Sequence, residues 1–257
     1  MNEYLDSLFS LGGKVAIVTG SGRGLGKGMA IALAQAGADI ALVSRTETEL
    51  DQTVKEIYEA GGRASVHPAD ISVVGAIEDL IQSIHRHKGQ IDILVNNAGF
   101  ILRKPALEFT LGDWESQVGT NLKAAYFMAQ AVGKVMKVQG AGKIINIGSL
   151  SSFIGLQNAP VYGITRGGIL SMTRSLAIEW AQYHINVNVI APGYFETKQT
   201  APLFSDETRR TWVLSRIPWG RSGLPEDLAG AVIFLSSKAS DYVTGQVVVV
   251  DGGWLAG

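Results

Sequence analysis

The sequence predicts one α/β domain in which about seven parallel strands form a doubly wound sheet with helices on both faces. Three observations point there. Short apolar runs alternate with amphipathic stretches from one end of the chain to the other. Those runs are apolar throughout rather than every second residue, which implies burial on both sheet faces. No Pro- or Gly-rich linker and no fixed-period repeat divides the 257 residues, so 1–257 reads as a single domain.

Each element has its own signal. Residues 15–19 form the first strand, ended by a glycine cluster, and an amphipathic stretch follows to about Ala36, closed by Gly37. Residues 39–44 are the second strand. Residues 46–60 form a helix with Leu50, Val54 and Ile57 on one face and Gly61-Gly62 at its end. A weaker third strand covers 63–67. Val74, Ile77, Leu80, Ile81 and Ile84 recur at helical spacing within 73–88. Strands follow at 91–95 and 143–147, with the longest helical stretch, 111–137, between them. Residues 160–182 read as a helix despite Gly163, Gly167 and Gly168, and 185–190 as the sixth strand. The stretch 193–223 holds Pro202, Pro218 and a Thr/Ser mixture and reads as irregular. It is too long for an ordinary connection, which suggests a segment that covers a substrate. A helix over 225–236 and a strand over 246–250 complete the chain.

Composition removes several function classes. The 22 basic and 23 acidic residues leave a net charge of −1, so no basic field exists to hold a nucleic acid. The absence of cysteine excludes disulfides, thiolate nucleophiles and Cys-based metal sites. The first residues, MNEYLDSLFSLGGK, lack the basic start and apolar stretch of a signal peptide. Residues 144–165 carry no charge, but their Asn, Ser, Gln and Pro make them too polar for a bilayer span. A cytoplasmic protein without a membrane partner is expected. His85 and His87 fall on different helix faces, and His67 and His184 stand alone in the sequence, so no metal site is expected. The five tryptophans, at 114, 180, 212, 219 and 254, read as packing residues.

The 31 glycines exceed the usual share of ~7%, and the densest group is informative. Thr19-Gly20-Ser21-Gly22-Arg23-Gly24-Leu25-Gly26 joins the first strand to the first helix of the alternating pattern. Glycine lets the backbone approach a pyrophosphate, and the following helix presents free N–H groups and the positive end of its dipole. This is the logic of a Rossmann-type dinucleotide site. The second strand ends Val43-Ser44-Arg45, without an acid to receive a ribose 2′-hydroxyl. Arg45, with Arg23 nearby, suits a 2′-phosphate instead, which favours NADP, with NAD as the alternative.

Further motifs follow in order: Asn96-Asn97-Ala98-Gly99, Thr120-Asn121, Ile147-Gly148-Ser149, Tyr162 thirteen residues later, Pro192-Gly193 with Thr197, and Val250-Asp251-Gly252-Gly253. Together with the glycine loop they make the chain resemble the short-chain dehydrogenases/reductases over essentially its whole length. The resemblance implies hydride transfer between a nicotinamide and an alcohol or ketone. It implies Tyr162 as general acid/base, Ser149 as the holder of the substrate oxygen, and Asn121 as the anchor of a proton-relay water. It places Asp70 and Ile71 at adenine, the backbone of Asn97, Ala98 and Gly99 at the adenosine ribose, and Pro192, Gly193 and Thr197 at the nicotinamide side.

One residue departs from the pattern. Phenols ionise near pH 10, so a tyrosine base needs a cation beside it, and i+4 on a helix is the position that faces it. The family has lysine there; this chain has Arg166. Arginine keeps the charge but does not titrate. A relay in which this side chain orients water survives the change, and one in which it gives up a proton does not. Gly163, Gly167 and Gly168 would supply the extra room.

Residues 99–109 and 216–228, with the Asp241-Tyr-Val and Gly252-Gly-Trp-Leu-Ala endings, resemble the gluconate and deoxy-gluconate dehydrogenase branch. That implies a sugar acid as the small-molecule substrate, and Arg103, after the fourth strand, suits its carboxylate. Two other readings compete: a 3-oxoacyl thioester reductase, and a cofactor-binding scaffold without turnover because of Arg166. The family also implies a homotetramer built through 111–137 and 160–182.

Overall fold

The computed structural model describes residues 3–257; Met1 and Asn2 lie outside it. The strands are β1 (Val15–Thr19), β2 (Asp39–Ser44), β3 (Arg63–Pro68), β4 (Ile93–Asn96), β5 (Gly142–Ile147), β6 (Ile185–Pro192) and β7 (Val247–Val250). They form one all-parallel sheet in the order β3-β2-β1-β4-β5-β6-β7. The helices are α1 (Glu3–Phe9), α2 (Gly24–Gln35), α3 (Glu47–Glu59), α4 (Ile77–Lys88), α5 (Leu111–Val118), α6 (Ala124–Gln139), α7 (Pro160–Trp180), α8 (Ala201–Phe204), α9 (Glu207–Ser215) and α10 (Ala229–Ser236).

Alternate residues of each central strand feed two cores. Ala16, Val18, Leu42 and Val95 pack against α2, α3 and α10, while Ile17, Ala41, Val43 and Leu94 pack against α4, α6 and α7. This is why the strands read as continuous apolar runs. The two edge strands are the exceptions: β3 is mostly half-buried with Arg63 and Pro68 exposed, and Val249 of β7 is 40% exposed.

The strand order reverses between β1 and β4, so their C-terminal ends border a crevice. Buried Thr19 closes the seam below it. Its Oγ1 donates to the Val95 carbonyl at 3.3 Å and accepts from the N–H groups of Asn97 and Ala98 at 3.0 Å.

Some expectations change. The stretch 111–137 is not one helix: a π turn over Gly119–Lys123 separates α5 from α6. The stretch 193–223 is not irregular throughout, since it contains α8 and α9. The latter is capped by Asp206, whose carboxylate accepts from the Arg209 N–H at 3.1 Å. α1 had no sequence signal, because none of its residues is buried. His67 is not isolated: its ring meets that of His87 edge-on at 6.4 Å. Of the tryptophans, Trp254 is buried, whereas Trp114, Trp212 and Trp219 are exposed. Among the described residues no helix is long and apolar enough to cross a membrane.

Candidate active site

A cavity of about 910 Å³ occupies the crevice. Its floor is the turn from β1 into α2. Gly20 adopts φ +66, and a Cβ there would stand 2.9 Å from Asn97 Nδ2 and 3.0 Å from the Ala98 Cα. The Asn97 amide in turn donates to the Thr19 carbonyl at 2.9 Å, locking the turn to the end of β4. A Cβ at Gly26 would collide with the Gly20 carbonyl. Both glycines are thus required by the close packing of the turn against itself and the end of β4, and the turn lines the cavity.

At the end of β2, Ser44 and Arg45 line the cavity and Ser44 Oγ is buried without a partner. Arg45 is exposed and makes no ion pair among the described residues. Arg23 is shared with Glu49 at 3.4 Å, an exposed pair worth about 0–1 kcal/mol. Asp70 is occupied locally, accepting from the Ser72 hydroxyl at 2.7 Å and N–H at 2.9 Å. The Ser72 hydroxyl bond is the main reason its carboxyl lies below the usual range, and the charge of Arg45 adds a little.

Ser149, Tyr162 and Arg166 line the same cavity. Ser149 caps the short turn after β5, and its Oγ accepts from the Ser151 N–H at 3.3 Å. Its own proton therefore remains available to an oxygen in the cavity. Ser152 Oγ accepts from the Ser149 N–H at 3.2 Å and donates to the Arg166 carbonyl at 3.0 Å, which ties the serine turn to α7. Tyr162 and Arg166 lie one turn apart on α7, and the guanidinium carbon is 5.0 Å from the Tyr162 ring centre.

Arg166 is 5% exposed. Nη1 donates to the Ile147 carbonyl at 2.6 Å, Nε is buried without a partner, and no carboxylate pairs with it among the described residues. A buried cation with so little compensation calls for an acceptor from outside the chain. Its room does not come from the neighbouring glycines on α7. A Cβ at Gly167 would meet nothing, one at Gly163 only the Ser151 carbonyl at 3.8 Å, and one at Gly168 would meet Leu122. The room comes from Gly99, where a Cβ would stand 2.6 Å from Arg166 Nη2 and 3.0 Å from Asn121 Oδ1.

Asn121 does not line the cavity. It sits in the π turn, buried, with its side chain clamped to the Phe100 backbone: Nδ2 donates to the carbonyl at 2.8 Å and Oδ1 accepts from the N–H at 2.9 Å. Gln117 donates to the same carbonyl at 3.1 Å, and Thr165 Oγ1 links the Tyr162 carbonyl at 2.8 Å to Asn121 Nδ2 at 3.4 Å. Arg103 also lies off the cavity lining, its Nη1 donating to the Gln157 carbonyl at 3.5 Å. Burial pushes the Tyr194 phenol up, against the opposing charges of Arg103 and Arg216.

Every other site residue expected from the sequence lines the cavity: Gly20, Gly22, Arg23, Gly24, Leu25, Gly26, Ser44, Arg45, Asp70, Ile71, Asn97, Ala98, Gly99, Ser149, Tyr162, Arg166, Pro192, Gly193 and Thr197. Sequence reasoning missed Gln117, Ser152 and Thr165, which hold these residues from behind. Only Ser152 had a visible signal, three residues after Ser149 at the start of a short helical turn.

A family model described as Enoyl-(Acyl carrier protein) reductase matches residues 20–255. The 2-dehydro-3-deoxy-D-gluconate 5-dehydrogenase of Escherichia coli (strain K12) is 48% identical over 251 residues, which cover 97% of this chain and 98% of that protein. The gluconate 5-dehydrogenase of Gluconobacter oxydans (strain 621H) is 41% identical over 246 residues, 96% of each. A gluconate 5-dehydrogenase from Burkholderia cenocepacia J2315, crystallised in complex with NADP and tartrate, superposes with a TM-score of 0.95 at 38% identity, covering 98% of this chain and 99% of that one.

Proposed function

The chain belongs to the short-chain dehydrogenase/reductase family, and from that premise we propose that it is an NADP-dependent oxidoreductase acting at carbon 5 of a gluconate-type sugar acid. The observation that carries this reading is the 48% identity, over nearly the whole chain, to a dehydrogenase named for that carbon.

The residues present fit a dinucleotide. The tightly packed turn at Gly20–Gly26 lines the cavity, and Ser44 Oγ and Arg166 Nε are buried atoms that lack partners. The turn would hold the pyrophosphate, Arg45 with Arg23 and Ser44 the 2′-phosphate, and Asp70 and Ile71 the adenine. The Asn97–Gly99 backbone would line the adenosine ribose, Arg166 would meet ribose hydroxyls, and Pro192, Gly193 and Thr197 would flank the nicotinamide. When bound, the cofactor supplies a hydride to a carbonyl carbon or accepts one from an alcohol carbon.

The chain's own residues handle the oxygen and its proton. Ser149 donates its free hydroxyl proton as a hydrogen bond to the substrate oxygen. Tyr162 gives a proton to that oxygen in reduction and takes it in oxidation, beside the fixed charge of Arg166. The Asn121 side chain is committed to Phe100, so holding a relay water falls to its backbone in the π turn. Arg103 receives the substrate carboxylate, and residues 193–223 cover the substrate.

A homotetramer in the cytoplasm completes the reading. Tyr126 and Val138 on α6 and Ile164 and Ile178 on α7 are exposed apolar residues on the two long helices that would meet. Light scattering after gel filtration tests the assembly, and a monomer would refute it. For the activity, NADPH oxidation is followed with 5-ketogluconate and with an acetoacetyl thioester. Turnover of the first supports the proposal. Turnover of the thioester alone, or cofactor binding with no turnover, refutes it.

A further inference from the structure

Beside the cavity, Tyr194, Arg216 and Trp254 bring together side-chain donors from three segments of the chain. Tyr194 lies between the cavity-lining Gly193 and Phe195 and packs in one cluster with Leu150, the neighbour of Ser149. Its ring meets Trp254 at 4.8 Å. The Arg216 guanidinium lies 4.8 Å from the centre of the Trp254 ring and 5.6 Å from that of Trp212, and the two indoles pack edge to face at 5.7 Å. The charges of Arg103 and Arg216 both oppose the burial that pushes the Tyr194 phenol up. Neither arginine makes an ion pair among the described residues, and Trp254 Nε1 is buried without a partner. A guanidinium stacked on indoles is already oriented, and its planar fork matches a carboxylate.

Resting on the reading of function above, we propose that Arg216 and Tyr194 join Arg103 as the carboxylate-binding end of the substrate site, with the Trp212–Trp254 pair holding Arg216 in place. An acid gripped by this patch presents the far end of its carbon chain to Ser149 and Tyr162. That selects a hydroxyl remote from the carboxylate, such as the one on carbon 5, over a 2-hydroxy acid.

The test compares 5-ketogluconate with L-sorbose, the same carbon chain with a hydroxymethyl group in place of the carboxylate. Arg216→Met keeps the stem over the indoles and removes the charge, whereas Arg216→Lys keeps the charge. The acid-to-sorbose ratio of kcat/KM is expected to fall about 10–100-fold in Arg216→Met, through KM for the acid, and to recover in part in Arg216→Lys. Tyr194→Phe lowers the same ratio a few-fold. An unchanged ratio, or equal losses on both substrates, overturns the proposal. Where L-sorbose turnover is too slow to measure, KM for the acid decides: a rise in Arg216→Met that Arg216→Lys reverses supports it, and a wild-type KM in Arg216→Met overturns it. A wild-type enzyme that reduces no sugar acid at all overturns the underlying function instead.

Discussion

Arg166 Nη1 donates to the Ile147 carbonyl at 2.6 Å, so the cation of α7 is tied to the last residue of β5. The charge beside Tyr162 is therefore a fixed one. An arginine at this place can orient a group in the cavity but does not titrate.

Arg166→Lys puts a compact, titratable ammonium in the same place. Turnover is expected to rise several-fold, because an amine can take part in a relay that a guanidinium only orients. An unchanged kcat would mean that arginine substitutes fully. Arg166→Met, which removes the charge, is expected to lower kcat by roughly 100-fold or more.

Gly99→Ala tests where the room for arginine comes from. Its Cβ would stand 2.6 Å from Arg166 Nη2, so kcat is expected to fall by about 10-fold or more. The shorter lysine should relieve the clash, so the double variant Gly99→Ala/Arg166→Lys recovers most of the loss. A double-mutant cycle that adds without coupling would exclude the contact.

Most of the sheet and most of the site were legible in the sequence, for a physical reason. β1, β2 and β4–β6 are buried on both faces and so are written as apolar runs, and the turn at Gly20–Gly26 is written in residues that only a close backbone approach requires. What was hidden depends on contacts distant in the chain. The π turn is held by Asn121 on the Phe100 backbone, and the space for Arg166 by Gly99, sixty-seven residues earlier. α9 was readable in principle, since Asp206 followed by Glu207 is a helix start, but the surrounding prolines and hydroxyl residues obscured it.

The proposed role of Arg45 in cofactor choice is tested directly. Arg45→Ala is expected to raise KM for NADPH about 10–100-fold while KM for NADH stays within about twofold, the loss of a charge-assisted contact. Arg23→Ala should cost less, because Arg23 already pairs with Glu49. Equal effects of Arg45→Ala on both cofactors would refute the assignment.

Acid stability has a marker in Asp113. Lys104 Nζ donates to its carboxylate at 2.6 Å and the Thr110 N–H and hydroxyl at 2.9 Å, holding the carboxyl down from its ordinary 3.8 to about 2. The ionised form is thus favoured by the fold. Its contribution is complete above pH ~4 and is lost as pH falls toward about 2. The Tm of Asp113→Asn should lie below that of the wild type at pH 7, and the gap should close as the pH nears 2. A gap independent of pH would contradict this.

The most direct test of the central claim follows one atom. NADPH carrying deuterium at both positions of nicotinamide C4 is incubated with the wild-type chain and 5-ketogluconate, and the product is analysed by mass spectrometry and NMR. Sugar acid with a single deuterium on carbon 5 is expected, made by the wild type and lost when Tyr162 is replaced by Phe. Product without deuterium at carbon 5, or equal labelling by the Tyr162→Phe variant, would contradict hydride transfer in the cavity of Ser149, Tyr162 and Arg166.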